Sequence, residues 1–479
     1  MKMNRTTIRR LGSAILAGLS LCMILPGCGD TTDPGPDSLP GTQPGSDPAS
    51  LPGTDPAAEP LPLSYSVGGV PLEEFVIVYN KPAEAEEGSD MADLLQSTVE
   101  KVCGLKLEIV PDMPRGKAQE HEIVVGEPID RTVARDLSRE MKDPLDYELL
   151  AAGGKLYVAG GGTFGLRAAI LRLGEEVLPM GAIPDGFSVT GNAYGTELFP
   201  LTEGASLRLM SNNTWNCDAN KWQSLGKDCS AEARYQGLCA VYLAARPDVI
   251  CFQEMTAVMI RLIQTELNKN GMQYDLLTYT TGDVKPYTCI LYRADRLSLL
   301  EQGHHDFSYG NDANSKGYTW GYFEIKENGR RFVALSTHLW WKSESAQAGS
   351  DQWRADQAAE IVAETKKLET RLGCPIFAMG DFNCTTDSKA YGNFISGGFS
   401  DTFDLATVFA DNNRGYHSCS ATGYARETSA QPYKGKAIDH IMLRNPCGSE
   451  VLIFDHVRPY FYIRLSDHYP VYTDVRIGC

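Results

Sequence analysis

The sequence lacks several patterns that identify whole classes of proteins. It contains no Cys-x-x-Cys pair, which argues against a zinc ribbon. It has no run of basic residues that would indicate a strong nucleic-acid-binding surface. No internal repeat of solenoid length is present. The apolar run at residues 11–25 is shorter than the roughly 20 residues that a membrane-spanning helix needs.

The first residues are typical of a secretory signal. Several basic residues within the first ten precede the apolar run at residues 11–25. The run ends in Leu25-Pro26-Gly27-Cys28, which resembles the lipobox of bacterial lipoproteins except for its proline. The resemblance implies a lipid anchor on Cys28, and the alternative is plain secretion with Cys28 as an ordinary cysteine. We therefore expect an exported cell-surface or periplasmic lipoprotein that meets the membrane through this anchor only.

Composition and charge divide the rest of the chain. Residues 29–64 are rich in Pro, Gly, Ser and Asp, so they can bury too little surface to offset the entropy of ordering. We expect them to form a tether between the signal at 1–28 and two folded regions at 65–200 and 205–479. From residue 201 onward, 28 Lys+Arg face 32 Asp+Glu, so −4 of the net charge of −17 lies there and −13 lies before it. The nearly neutral second region neither requires nor excludes a polyanionic substrate.

The first folded region has the pattern of a small α/β domain. Apolar or alternating runs predict strands at 75–79, 105–109, 121–126 and 155–159. Helices are predicted from an Asp90 cap to Gly104 and over 163–178, the second after a turn at Gly160-Gly161-Gly162. Residues 121–128 (HEIVVGEP) and 146–178 resemble the small non-catalytic domain that precedes the barrel in family-20 glycoside hydrolases and α-glucuronidases. The resemblance implies a companion module, acting as a spacer or making a glycan contact.

The second folded region predicts two packed sheets with helices outside them. Helical spacing of apolar residues predicts helices over 257–270 and 352–372, each closed by a glycine. Strand patterns recur at 207–211, 248–253, 289–292, 322–325, 332–337, 375–379, 438–443 and 470–475.

Polar residues follow these apolar strands again and again. A strand end lets a short side chain project from a rigid scaffold into a common cleft, which is what a preorganised site requires. The residues in such positions are Asn213, Glu254, His338, Asp381, Asn383, Asp439, Asp467 and His468.

At this point a family resemblance is strong. The segments RPDVICFQE, STHLWW, GDFN, IDHIML and SDHYPV, in this order and spacing, resemble the endonuclease/exonuclease/phosphatase superfamily over essentially all of 205–479. The resemblance implies a four-layered α/β sandwich, with two mixed sheets flanked by helices, and metal-dependent hydrolysis of phosphoesters. Phosphoesters are anionic and resist nucleophiles, so their hydrolysis needs charge neutralisation and an activated water.

The resemblance also implies roles for the metal ligands and the base. Glu254, Asn213 and Asp467 are expected at a Mg²⁺ (or Mn²⁺) ion, which prefers hard oxygen ligands. Asp381 is expected to orient or deprotonate the attacking water, and Asn383 to hold a phosphate oxygen. Whether one or two ions act stays open.

The histidines divide into two groups. Asp439 is expected to hold His468 in one tautomer so that its imidazolium faces the phosphoryl group. His338 is expected to bind phosphate or to protonate the leaving oxygen. His440 follows Asp439 directly and so points to the opposite face of its strand, which predicts a structural role. The same structural role is expected for the remaining histidines: His304, His305, His417 and His456.

Three hypotheses about the function stay open. The first is a phosphodiesterase, such as a nuclease. The second is a phosphomonoesterase or a sphingomyelinase- or phospholipase C-like enzyme, so nucleic acid, phospholipid and sugar or inositol phosphate are all candidate substrates. The third is a non-enzymatic glycan-binding surface protein. Trp340, Trp341 and Arg354 are weak candidates for substrate contact, and we expect a monomer.

Overall fold

A computed structural model describes residues 64–80, 87–112, 118–128, 130–216, 228–277, 287–312, 315–408, 419–420 and 435–478. The predicted signal, the anchor residue Cys28 and the predicted tether up to residue 63 lie outside these residues. Within the described residues, no helix has the length and apolarity that a membrane crossing requires.

The N-terminal part is built around a six-stranded mixed sheet. Its strands lie in the order β4-β3-β5-β7-β6-β9, with the first four parallel and β6 antiparallel to both its neighbours. A small three-stranded sheet has the order β2-β1-β8. The elements are β1 (Ser66–Val67), β2 (Val70–Pro71), β3 (Val76–Asn80), α1 (Glu87–Cys103), β4 (Ile109–Asp112), β5 (Glu122–Val125), α2 (Thr132–Glu140), β6 (Asp146–Ala152), β7 (Lys155–Gly160), α3 (Thr163–Arg172), β8 (Ala182–Ile183) and β9 (Ser188–Asn192).

Two predictions in this part were wrong in detail. Helix α1 begins at Glu87, so Asp90 lies inside it and does not cap it. The strand predicted at 105–109 is β4, which begins only at Ile109. The predicted glycine turn is present. Glycine is needed there because the backbone of Leu166 and Asp143 fills the space that side chains would need at Gly160 and Gly161. Substitution at either position would therefore force the turn apart.

The C-terminal part contains two six-stranded sheets. Their orders are β12-β13-β11-β10-β23-β22 and β14-β15-β16-β17-β21-β18, and a two-stranded ribbon joins β19 to β20. The elements are β10 (Leu207–Asn213), α4 (Ala231–Ala245), β11 (Val249–Gln253), α5 (Ala257–Lys269), β12 (Tyr274–Leu277), β13 (Ile290–Arg293), β14 (Leu297–Asp306), β15 (Gly317–Ile325), β16 (Arg331–His338), α6 (Ser350–Leu372), β17 (Ile376–Asp381), α7 (Lys389–Ser396), β18 (Phe399–Asp401), α8 (Thr402–Leu405), β19 (Cys419–Ser420), β20 (Gly435–Lys436), β21 (Asp439–Arg444), β22 (Glu450–His456) and β23 (Val471–Arg476).

Each large C-terminal sheet has one parallel pair at its centre, and a helix makes the crossover. Strands β10 and β11 are parallel and joined through α4, and β16 and β17 are parallel and joined through α6. The other pairings in the two sheets are antiparallel. Because parallel strands end at the same edge of a sheet, each β-α-β unit brings two strand ends together.

The two sheets pack face to face because side chains alternate along each strand. In β10, Leu209 joins the apolar cluster between the sheets, whereas Met210 faces the helical layer. In β17, Phe377 lies between the sheets and Ala378 faces the helices on the other side. The result is helix, sheet, sheet, helix, and the predicted four-layered α/β sandwich is confirmed.

A buried ion pair crosses the middle of one C-terminal sheet, and its arginine also binds the chain segment that leads into that sheet. Arg208, 2% exposed, makes a bidentate pair with Asp474 at 2.6 and 2.7 Å, across the antiparallel β10–β23 pair. The same guanidinium donates to the carbonyls of Phe199, Pro200 and Ala245. These contacts satisfy a charge that would otherwise be costly to bury, and they hold the chain at 199–200 against the sheet.

We expect Arg208→Met to destabilise the protein by about 3–5 kcal/mol, because it leaves the Asp474 carboxylate buried without its cation. Chemical denaturation of the wild type and the variant measures this loss. Arg331→Met is the matched control, since Arg331 pairs with Glu324 at the surface, where ion pairs contribute about 0–1 kcal/mol. A loss no larger than that of the control would contradict the assignment.

Candidate active site

The site lies where the two parallel strand pairs end. In one sheet, Asn213 is paired with Gln253, the residue before Glu254. In the other, His338 is opposite Asp381, and Asp381 is opposite Asp439 on its other side. The register therefore places Asp381 at the centre of a row of polar side chains across three strands.

Gly380 is what lets these strands come so close. A Cβ built at Gly380 would lie 1.9 Å from the backbone oxygen of Thr337, a distance that real atoms do not adopt. A side chain here would push β17 away from β16 and would separate Asp381 from His338. The glycine of the GDFN segment is thus required by packing.

Asp381 is buried and has contacts on both carboxylate oxygens. Its Oδ1 accepts a hydrogen bond from the backbone N–H of Asn383 at 2.8 Å. Its Oδ2 accepts from Asn213 Nδ2 at 3.0 Å and lies 3.3 Å from His338 Nε2 and 3.8 Å from His468 Nε2. Four of the residues predicted from the sequence therefore meet at one carboxylate.

Glu254 reaches this cluster from the other sheet. Asn213 Nδ2 also donates to Glu254 Oε1 at 3.2 Å, and the backbone N–H of Asn216 donates to Oε2 at 2.9 Å. Glu254 has a φ of 55°, a left-handed conformation that is unusual for glutamate. The turn after β11 thus accepts strain at the residue that aims its carboxylate into the site.

The predicted Asp439–His468 pair is present, and its catalytic role stays a prediction. His468 Nδ1 lies 2.8 Å from Asp439 Oδ2, which leaves Nε2 facing Asp381. The loop that carries His468 is held by Ser466, whose Oγ donates to the carbonyl of Asn213 at 2.7 Å and accepts from the His468 N–H. The imidazole orientation therefore depends on both sheets.

Sequence reasoning missed one charged residue of the site, Lys316. It is 5% exposed, precedes β15 directly, and its Nζ lies 2.7 Å from His338 Nε2. The register explains its position, because Gly317 is paired with His338. A lysine beside an apolar strand reads as an ordinary surface residue, so only the strand pairing could have identified it.

The charges of the site shift each other's pKa values. Burial acts against ionisation of Asp381, but His468, His338 and Lys316 outweigh it and hold the pKa of Asp381 well below its usual range. Burial likewise opposes ionisation of Glu254, yet His338 and Lys316 lower its pKa. Both carboxylates are therefore ionised at neutral pH.

The basic groups shift in the complementary direction. Burial, together with the nearby charge of Lys316, lowers the pKa of His338. Burial also lowers the pKa of Lys316, against the opposing effect of Glu254 and Asp381. The imidazole of His338 is thus disposed to be neutral, with one ring nitrogen as a hydrogen-bond donor and the other as an acceptor.

The donor set fits a divalent cation. Ligand atoms of Glu254, His338 and Asp381 lie within 4.8 Å of one another, and so do those of Asp381, Asp439 and His468. Ionised carboxylates at this separation repel each other, and a cation is the group that relieves the repulsion. Carboxylate oxygens are ligands that Mg²⁺ and Mn²⁺ prefer.

The other predicted site residues lie around this centre. Asn383 has a φ of 49° and its Nδ2 donates to the carbonyl of Leu339, so it joins the loops after β16 and β17. Asp467 is half-buried beside His468, burial raises its pKa, and its Oδ1 has no hydrogen-bond partner among the described residues. Asp467 is not among the convergent ligand groups, so its metal role rests on the motif alone.

The three weak candidates for substrate contact differ in the exposure of their side chains. Trp340 is 3% exposed and donates to Ser350 Oγ, so burial argues against the predicted substrate contact. Arg354 is also buried, and its guanidinium bonds the carbonyls of Trp340 and Lys342, which gives it a structural task. Trp341 is 53% exposed and stays a candidate.

His440 has the structural position predicted for it. It is fully buried on the far face of β21, with Nδ1 2.9 Å from Asp401 Oδ2 and Nε2 3.1 Å from the carbonyl of Cys384. His304, His305 and His456 also lie outside the cluster, beside Asp306, Glu360 and Asp455. His417 lies outside the described residues.

Comparison with known proteins agrees with this geometry. The model of the Endonuclease/Exonuclease/phosphatase family matches residues 214–468. No curated protein matches the chain.

Several solved structures are similar to part of this chain. An endonuclease/exonuclease/phosphatase from Bacteroides vulgatus is 21% identical, with 57% of this chain and 98% of that chain covered and a TM-score of 0.44. A mannosyl-6-phosphatase from Bacteroides thetaiotaomicron is 19% identical, with 56% and 99% covered and a TM-score of 0.44. The human Nocturnin catalytic domain is 17% identical, with 57% and 94% covered and a TM-score of 0.39.

We expect Lys316→Met to raise the pKa of His338, because the buried ammonium disfavours a second positive charge beside it. An NMR titration of the imidazole in metal-free protein measures the shift. Lys326→Met, at the far end of the same hairpin, is the control and should leave this pKa unchanged. An unchanged pKa in Lys316→Met would refute the assigned contact.

Proposed function

Since this chain belongs to the endonuclease/exonuclease/phosphatase family, we propose that it is a divalent-metal-dependent hydrolase that cleaves phosphoester bonds by attack of water. The observation that carries the proposal is the meeting of Asn213, Glu254, His338, Asp381 and the Asp439–His468 pair at the ends of the two central strand pairs. Such a cluster of opposite charges suits an anionic substrate whose charge increases during reaction.

Glu254 and Asp381 would hold the ion, Mg²⁺ or Mn²⁺, with Asn213 and Asp467 as further proposed ligands. When bound, the ion would neutralise charge on the phosphoryl oxygens. The Asn213 amide keeps the two carboxylates at fixed positions through its bonds to both. This preorganisation avoids rearrangement during the reaction.

The proposed proton-handling groups lie around the same Asp381 carboxylate. Asp381 is the proposed base that orients the attacking water, and its low pKa keeps the carboxylate ionised as a hydrogen-bond acceptor for that water. The Asp439 carboxylate holds Nδ1 of His468, so Nε2 can donate to a phosphoryl oxygen. His338, next to Lys316, is proposed to bind phosphate or to supply the proton of the leaving oxygen.

This chemistry serves two classes of bond. Hydrolysis of a phosphodiester, as in a nuclease, is the first proposal. Hydrolysis of a phosphomonoester or of a lipid phosphoester is the alternative, and it is supported by the nearly neutral charge of the chain from residue 201 onward. The activity is proposed to lie outside the cytoplasm on a lipoprotein anchored through Cys28, a location that rests on the sequence of residues 1–64.

We expect EDTA to abolish hydrolysis and Mg²⁺ or Mn²⁺ to restore it, because two ionised carboxylates remain without their cation after chelation. A panel of single-stranded DNA, RNA, liposomal sphingomyelin, inositol phosphates and hexose phosphates measures this on residues 64–479. Activity that persists unchanged in EDTA after dialysis would refute the metal role. No hydrolysis of any ester with either ion would refute the proposed function.

We expect Glu254→Gln and His468→Ala each to lower kcat by about 10²–10⁴, because each removes a charged group that faces the phosphoryl site. Steady-state rates on the best substrate of the panel provide the measurement. Glu327→Gln and His305→Ala are the matched controls, since both residues lie away from the cluster. Rates equal to those of the controls would exclude the assigned roles.

A further inference from the structure

A pocket opens directly beside the catalytic cluster. Its volume is about 540 Å³, which suits a small organic group. Asn383 and Cys384 line it, and both follow Asp381 in the loop after β17. Ile438, the residue before Asp439, lines it as well. A phosphoester held at Asp381 would therefore direct one of its ester substituents toward this space.

Among the described residues, the charges that line the pocket cancel. Two acidic residues, Asp351 and Asp387, and two basic residues, Arg354 and Lys389, line it. The Arg354 guanidinium is engaged by Asp351 and by the carbonyls of Trp340 and Lys342.

The second basic residue is also engaged, because Lys389 Nζ donates to Gln352 Oε1 at 2.7 Å. Nucleic-acid binding depends on cations that neutralise several neighbouring phosphates. A lining in which each cation has a partner and acids are equally numerous does not provide them. The pocket therefore favours a neutral substituent over a continuing phosphodiester chain.

The remaining lining groups offer an aromatic surface and many hydrogen bonds. Trp341 is 53% exposed, and its Nε1–H donates to Asp312 Oδ2 at 3.1 Å, which restrains the indole at the rim. Ser343, Thr385 and Ser388 also line the pocket. Their hydroxyls have protein partners in Ser345, Asp387 and the Tyr391 N–H, and each can make a further hydrogen bond. Hydroxyls donate and accept, whereas carboxylates accept from hydroxyl groups. An aromatic face beside such groups matches a ring that carries C–H bonds on its faces and hydroxyls at its edge.

We propose that this pocket binds a neutral polyhydroxylated group, a sugar or polyol, which is joined to phosphorus through the ester that is cleaved. The inference rests on the proposed function, because it assigns the substrate class of the same site. A nucleoside whose base stacks on Trp341 is the competing occupant, and the experiment separates the two.

The test compares esters that differ only in the group that would enter the pocket. In the wild type with Mg²⁺ or Mn²⁺, kcat/KM for glucose 6-phosphate and mannose 6-phosphate is compared with that for methyl phosphate and for adenosine 5′-monophosphate. If the enzyme cleaves only diesters, the methyl diesters of the same compounds replace them. We expect at least one hexose ester to exceed both comparators by about tenfold or more, equivalent to about 1.4 kcal/mol.

Variants then tie the preference to the pocket. We expect Trp341→Ala to lower the hexose-to-methyl ratio of kcat/KM about tenfold, and Asp387→Asn to lower it in the same direction. Tyr309→Ala is the matched control, because Tyr309 is a 64% exposed aromatic residue that does not line the pocket, and its ratio should not change. Circular dichroism verifies that the variants are folded.

Failure of the sugar assignment and failure of the proposed function give different results. A preference for adenosine 5′-monophosphate, no preference, or an unchanged ratio in Trp341→Ala would each overturn the sugar assignment while hydrolysis itself upholds the proposed function. If no ester is cleaved, the proposed function fails. Binding of the hexose phosphates, measured by calorimetry, then decides whether a sugar occupies the pocket. Binding that Trp341→Ala weakens about tenfold would then support a sugar as the occupant of the pocket, and binding equal in the two proteins would overturn that occupancy.

Discussion

The close approach of β16, β17 and β21 is the constraint on which the site depends. It places His338, Asp381 and Asp439 side by side in one row. The approach is achieved at Gly380, where a side chain would collide with the backbone of Thr337. Because the second sheet packs on this one through alternating apolar residues, the ends of β10 and β11 bring Asn213 and Glu254 to the same point. Two β-α-β units packed face to face thus account for most of the charged cluster.

Local strain and a buried arginine complete this arrangement. Glu254 and Asn383 both have left-handed backbone conformations, which cost of order 1–3 kcal/mol for residues that do not favour them. Such conformations persist where the surroundings hold them. Arg234 holds the neighbouring loops in place. Its guanidinium donates hydrogen bonds to the carbonyls of Cys229, Thr214, Trp215 and Leu465. The loops that carry the Asn216 N–H and His468 are therefore fastened to helix α4.

The sequence predicted the strands that carry the cluster, because buried central strands have continuous apolar runs and polar residues at their ends. It did not predict helix α4, whose C-terminal half is buried on all sides and so shows no amphipathic period. Strand β14 was also missed, since a register shift and polar residues interrupt its alternation, and β22 was missed although it contains an apolar run at 451–454. Lys316 was missed because its importance comes from a strand pairing, and Trp340 could not be separated from Trp341 until their burial was known.

The same distinction explains why chemistry is easier to infer than substrate. The residues proposed to act on phosphorus lie at strand ends. Burial there strengthens the electrostatic interactions between them, and the strand register fixes the distances between their side chains. The pocket beside them is formed by the loops after β16 and β17 and by the start of α7, where polar residues are common for many reasons. No single residue there is diagnostic. What distinguishes the pocket is the balance of its charges together with one exposed aromatic ring, and both properties exist only after folding has brought distant segments together.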